Sequence, residues 1–160
     1  MSVVIRCAQA GDGPALRDLI VALADHQGQA GLVTANAREL EDVLCSPSDH
    51  RGCLVAEMDG VVVGLAYWYE VFTTFTGKSK LYLEDLIVSP QARGTGAGFL
   101  LMQGLANICV ERGYPRFEWL ALSENDLGRK FYRRIGGDIK QGADTWHLPE
   151  AGIRALAEEG

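Results

Sequence analysis

The four cysteines, Cys7, Cys45, Cys53 and Cys109, contain no C-x-x-C pair, and His26, His50 and His147 lack zinc-ligand spacing. No metal centre is expected, and the cysteines read as reduced thiols, mostly core filler, in a cytoplasmic protein. No apolar run reaches the roughly 18 residues that cross a bilayer, and Met1 to Cys7 lack the basic stretch and apolar segment of an export signal, so no membrane partner is expected. Positive charge is also scarce. Fifteen Lys+Arg against 21 Asp+Glu give a formal net charge of -6, the wrong sign for gripping nucleic acid through its phosphates. Any phosphate-bearing ligand must be held by local geometry instead. Repeats, low-complexity tracts and long linkers are missing too, so residues 1–160 are expected to form one domain. At 48% hydrophobic and 22% charged residues, the composition is that of an ordinary globular chain.

What is present reads as alternating strands and helices. Val3 to Cys7 is a short apolar strand. Asp12-Gly13-Pro14 sets up a helix with Asp12 as its cap, and Leu16, Leu19, Ile20 and Leu23 recur at i, i+3, i+4 and i+7 before Gly28 ends it. Asn36 and Glu39 spell a capping box for a second helix, stopped by Pro47. Cys53 to Glu57 and Val61 to Tyr69 are strands joined by Asp59-Gly60, the dipeptide of a type I′ hairpin. Leu81 to Val88 is apolar on both alternating faces except at Glu84 and Asp85, the pattern of a central strand covered on both sides. After Gly98 comes a helix carrying Leu101, Met102, Leu105, Ile108 and Cys109, with Gly113 beyond its end. Phe117 to Leu122 reads as a strand. Asn125 or Asp126 caps a helix bearing Leu127, Phe131 and Ile135, which Gly136-Gly137 terminates. Two last strands are expected near Asp138 to Gln141 and Thr145 to Leu148.

The most informative segment runs from Ser89 to Gly98, between the apolar strand and a helix start. Gly94, Gly96 and Gly98 let backbone N–H groups approach a ligand, and the helix N-terminus adds partial positive charge. A dinucleotide fingerprint fails because Phe99 stands where its third glycine belongs, and a Walker loop ending at Gly77-Lys78-Ser79 fails because position 72 is Phe72. Gln91-Ala92-Arg93-Gly94-Thr95-Gly96 does fit Q/R-x-x-G-x-G/A, and in this it resembles the acetyl-CoA pyrophosphate signature of the GNAT acetyltransferase superfamily. Leu81 to Val88, Arg93 to Gly98, Asn125 and Phe131-Tyr132-Arg133-Arg134 together resemble its diamine (spermidine/spermine) acetyltransferase branch.

That resemblance implies an α+β, three-layer GNAT fold, with a mixed, mostly antiparallel central sheet of about six to seven strands and helices on both faces. It implies an enzyme that passes the acetyl group of acetyl-CoA directly to a primary amine of a small molecule, without a metal, and that pairs as a homodimer. By matching positions, the backbone of Leu86, Ile87 and Val88 would pair with the pantetheine arm. The loop of Arg93, Gly94, Thr95, Gly96, Ala97 and Gly98 would wrap the pyrophosphate, and Asn125 would lie near the cofactor arm. Tyr132 matches the tyrosine assigned as general acid to the departing thiolate. The stretch Asp25-His26-Gln27-Gly28-Gln29-Ala30-Gly31 departs from the branch, which carries acidic and aromatic residues there; one acid would draw a polycation only weakly. His26 and Gln27 are candidate substrate contacts or plain loop residues.

An alkyl amine with a pKa of about 10.4 is neutral only about once in 2500 at pH 7, a handicap of roughly 4.6 kcal/mol. Glu84 is the candidate base and ammonium anchor, since burial raises a carboxylate's pKa; its alternative is a buried ion pair. In a regular strand Asp85 points the other way and is structural, unless a bulge intervenes. Tyr132 either packs or protonates the leaving sulfur. Arg129, Lys130, Arg133 and Arg134 read mainly as a solvated helix face, with one or two available to nucleotide phosphates. Tyr67, Trp68, Tyr69, Phe72 and Phe75 read as core or dimer surface, and Trp119 and Trp146 as core. Two rivals stay open: an idle acyl-CoA sensor, and a structural domain that binds no CoA. Acceptors include a polyamine, a diamine, a lysine-like amino acid or an amine antibiotic.

Overall fold

Asp59 and Gly60 take φ angles of 52° and 80°, the positive pair a two-residue hairpin turn requires, and the sheet grows from that turn. It joins β2 (Arg51–Met58) to β3 (Val61–Thr73), and β3 turns back into β4 (Lys78–Val88), both pairs antiparallel. β1 (Val3–Cys7) covers the free edge of β2, and β5 (Phe117–Trp119) lies parallel to β4. The strand order is β1-β2-β3-β4-β5. This computed structural model describes residues 2–142 and 145–158. The sheet and the helices packed on it belong to one unit, Met1–Leu122; Ser123–Gly160 forms a second.

Helices cover both faces of the sheet, as expected. On one face, α1 (Gly13–His26) and α2 (Ala37–Leu44) bring Leu16, Leu19 and Leu44 against Val55, Leu65 and Ile87. Burying each such side chain contributes roughly 1.5–3 kcal/mol. On the other face, α3 (Ala97–Arg112) comes close through glycine. A Cβ on Gly104 would stand 2.8 Å from Leu54 Cδ1, and one on Gly64 would stand 3.3 Å from Leu101 Cδ1.

The capping box of α2 forms as its sequence predicts. Asn36 Oδ1 accepts from the N–H groups of Arg38 and Glu39, and the Glu39 carboxylate accepts from the Asn36 N–H. Asp12 behaves otherwise. It precedes α1 but makes no side-chain cap; its carboxylate accepts from both Arg6 terminal nitrogens, at 2.7 and 3.0 Å, and from the Gln9 N–H. A charged partner outcompetes a neutral helix N–H, because charge-assisted bonds are roughly twice as strong.

The sheet has five strands among the described residues, not six to seven. Asp138 to Gln141 and Thr145 to Leu148 form no strand. The Asp138 carboxylate accepts the N–H of Ile139 at 2.8 Å, a local bond that competes with strand pairing. Gly142 at φ 83° then turns the chain. Trp146, expected in the core, is 92% exposed. In the second unit the helices are α4 (Asp126–Arg134) and α5 (Glu150–Glu158). No helix of the described residues is long and apolar enough to cross a membrane.

Candidate active site

The loop after β4 is shaped to present backbone amides. Gly94 and Gly96 have φ angles of 82° and 90°, a left-handed backbone that costs an L-residue roughly 1–2 kcal/mol. A Cβ on either would meet nothing within 4 Å, so their surroundings are open. Gly96 stands at the N-cap of α3 without a side chain to cap it. The N–H groups of Gly94, Gly96, Ala97, Gly98 and Phe99 donate to no backbone carbonyl among the described residues. Thr95 steadies the turn by donating from Oγ1 to the Ala92 carbonyl at 2.7 Å. Orphan amides and the helix dipole together favour an anion. The Arg93 side chain is exposed beside them.

Upstream of this loop, β4 loses a neighbour. It pairs with β5 only at Leu81, Tyr82 and Leu83, where the Lys80–Glu118 ion pair clips the two strands together. From Glu84 to Val88 its outer edge has no strand beside it among the described residues. The inner side is fully used: Ser89 N–H donates to the Val63 carbonyl at 2.8 Å, so alternation along the ladder turns Ile87 toward Leu65 and leaves Leu86 and Val88 facing outward. The open edge therefore offers N–H and C=O groups of Leu86 and Val88, while Ile87 contributes a buried side chain.

At the start of that edge lies an irregularity that strand alternation hides. Tyr67 pairs with Asp85, and Trp68 with Leu83, so Glu84 is an extra residue in β4. Such a bulge brings successive side chains onto one face. Glu84 is exposed rather than buried, and its carboxylate accepts from Tyr69 Oη at 3.0 Å. Asp85 is half-buried on the face of Tyr67, and burial first, then the charge of Glu84, pushes its pKa up to about 6. Burial, the bond to Glu84 and its charge push the Tyr69 phenol up to about 12, which keeps it a donor. Tyr69 also touches Tyr67 and Tyr82, with ring centroids 6.3 and 5.2 Å away. Tyr67 packs against the core beneath α1 and α2, and Tyr69 stands half-buried beside Glu84. Phe72 and Phe75 extend beyond it into solvent, and only Trp68 is core.

A family model for the acetyltransferase (GNAT) family matches residues 20–137. The chain belongs to the GNAT acetyltransferase family. It is 28% identical to a thialysine N-epsilon-acetyltransferase of Sus scrofa over 91% of this chain and 90% of the relative. It is also 28% identical to a human spermidine/spermine N(1)-acetyltransferase-like protein, over 90% of this chain but 22% of that longer one. Among solved structures, an integron cassette protein from the mobile metagenome of V. cholerae superposes with a TM-score of 0.81 at 26% identity, covering 99% of both chains.

GNAT acetyltransferases use acetyl-CoA as a cosubstrate. The unpaired N–H groups of Gly94 and residues 96–99 could hold a diphosphate, and the open edge at Leu86 and Val88 could hold an extended, amide-bearing arm.

The second unit holds two further expected residues. Asn125 caps α4, its Oδ1 accepting from the Gly128 N–H at 2.9 Å; a Cβ on Gly128 would clash with it at 2.5 Å. Tyr132 packs on Phe131 with ring centroids 5.4 Å apart, and burial raises its phenol pKa. Of the basic residues on this helix, Arg129 bonds the Ser123 carbonyl and Arg134 lies over the Phe131 ring.

His26 ends α1 and Gln27 caps it, and both are exposed. Sequence reasoning read Asp85 as structural unless a bulge intervened, and the bulge that turns it beside Glu84 has no sequence mark.

Proposed function

We propose that this acetyltransferase moves the acetyl group of acetyl-CoA directly to a primary amine of a small molecule, with Glu84 and Asp85 handling the ammonium. The observation that carries this reading is the juxtaposition on β4 of a carboxylate pair, an open strand edge and an amide-lined loop, in that order. Acetyl-CoA supplies an acetyl thioester, an electrophile that needs a neutral amine. Glu84, held by Tyr69, attracts the ammonium. Asp85 accepts its proton, since a carboxyl of pKa about 6 is ionised at neutral pH yet far more basic than an ordinary aspartate. The amine nitrogen bonds to the acetyl carbon as the carbon–sulfur bond breaks, Tyr132 gives its phenolic proton to the departing sulfur, and the second proton that the nitrogen sheds on becoming an amide returns through solvent to the phenolate. A desolvated phenol that stays protonated suits that task.

The activities for which the relatives are named support an amine acceptor, among them thialysine and spermidine/spermine. Free thiols at all four cysteines fit a cytoplasmic enzyme. The test is a thiol-release assay with acetyl-CoA and a panel of diamines, polyamines and lysine-like amino acids. Acetylated amine is expected in step with released thiol. Binding of acetyl-CoA without turnover on any amine would turn the reading into that of an acyl-CoA sensor.

A further inference from the structure

Arg51 stands on the acceptor side of the sheet. Its cross-strand partner is Tyr69, and two residues on Cys53 partners Tyr67, which in turn partners Asp85. Directly paired residues share a face, so Arg51, Tyr67, Tyr69 and Asp85 all project from one side, with Glu84 joined to them through Tyr69. The acids and Arg51 are two strands apart, about 10 Å between backbones.

The guanidinium is unusual in having no counter-ion. Its Nε is buried without a hydrogen-bond partner, and no carboxylate pairs with it among the described residues. A partly desolvated cation without a partner costs free energy that an incoming anion recovers. Tyr67 lies between the two poles: burial raises its phenol pKa, the positive charge of Arg51 opposes this, and the charges of Glu84 and Asp85 add to it. The acceptor face thus carries negative charge at one end and positive charge at the other.

We propose that Arg51 makes the enzyme select an amine that also bears a carboxylate, an amino acid with a distal primary amine, over a diamine or polyamine of similar length. The ammonium goes to Glu84 and Asp85, and the carboxylate goes to the Arg51 guanidinium. A second ammonium in place of the carboxylate would meet a fixed like charge. The end of α1 and the turn after it add little negative charge to offset this, since Asp25 is the one carboxylate in 25–31.

This inference rests on the amine-transfer reading, and matched substrates separate the two. Thialysine and L-lysine are compared with cadaverine and spermidine, measuring kcat/KM with wild type, Arg51→Met and Arg51→Lys. Wild type is expected to favour the amino acids at least tenfold. Arg51→Met should lower their kcat/KM at least tenfold and raise that of cadaverine several-fold, and Arg51→Lys should recover part of the preference. Thermal melting and acetyl-CoA binding verify that each variant is folded; if Arg51→Met is not, Arg51→Lys and the wild-type ranking decide. Turnover of the diamines in preference to the amino acids, or an equal loss on all four substrates in a folded variant, overturns the role of Arg51 alone. No turnover on any of them, with acetyl-CoA bound, overturns amine transfer and this selectivity with it.

Discussion

Asp85 shows how one backbone irregularity changes a residue's chemistry. Strict alternation along Leu81 to Val88 would put it on the opposite face from Glu84, and sequence reading therefore assigned it to structure. The extra residue in β4 brings it to the acceptor face, where burial and its neighbour raise its pKa to about 6. A raised carboxyl binds its proton more tightly in the folded state than in the unfolded one. Stability is then lost as pH rises from about 4 to about 6, and the loss is complete above that. Asp85→Asn is accordingly expected to melt higher than wild type at pH 7, by about 1 kcal/mol or roughly 2–4 °C, with the gap closing toward pH 4 in melting curves. The same variant should lose about a hundredfold or more in kcat/KM and the acid limb near pH 6. Glu84→Gln removes a charge that raises Asp85, so the limb of its pH–rate profile should move to lower pH; movement upward would return the base to Glu84. Tyr132→Phe should lower kcat steeply and leave the KM for acetyl-CoA nearly unchanged, as steady-state kinetics would show.

Elements were legible wherever a local bond decides the outcome. The Asn36–Glu39 box and the Asp59–Gly60 turn depend on residues within a few positions of one another, and both form. Asp12 was misread as a cap because its actual partner, Arg6, sits on another element. The glycine loop was legible for the same local reason as the turns, since its left-handed angles admit few other residues. Gly96→Ala places a methyl group where the anion would lie and strains a φ of 90°. Calorimetry is expected to show acetyl-CoA bound at least tenfold more weakly, with the melting temperature lowered by only the few degrees that a strain of roughly 1–2 kcal/mol brings. An unaltered affinity would move the diphosphate elsewhere.

Across the whole molecule, hydrophobic periodicity marked the individual helices, while the family resemblance supplied the layers: α1 and α2 against one face of the sheet and α3 against the other. It overcounted strands because the C-terminal stretches have β-rich letters but no partner edge, and the Asp138 side chain caps its own turn instead. Donor binding should act on the fold as a unit. Saturation at a hundred times Kd adds about 2.7 kcal/mol, so melting is expected to rise by roughly 5–10 °C with acetyl-CoA; no shift would contradict donor binding altogether.

The outward amides of Leu86 and Val88 have one further consequence. With no strand alongside among the described residues, their hydrogens trade with solvent even though β4 is an interior strand of the sheet, and on the proposed reading the thioester's arm would be a removable sixth ribbon that seals them. Deuterium uptake at those two positions should therefore slow sharply on adding the donor, while Ile87 between them, already bonded to Leu65, stays slow throughout.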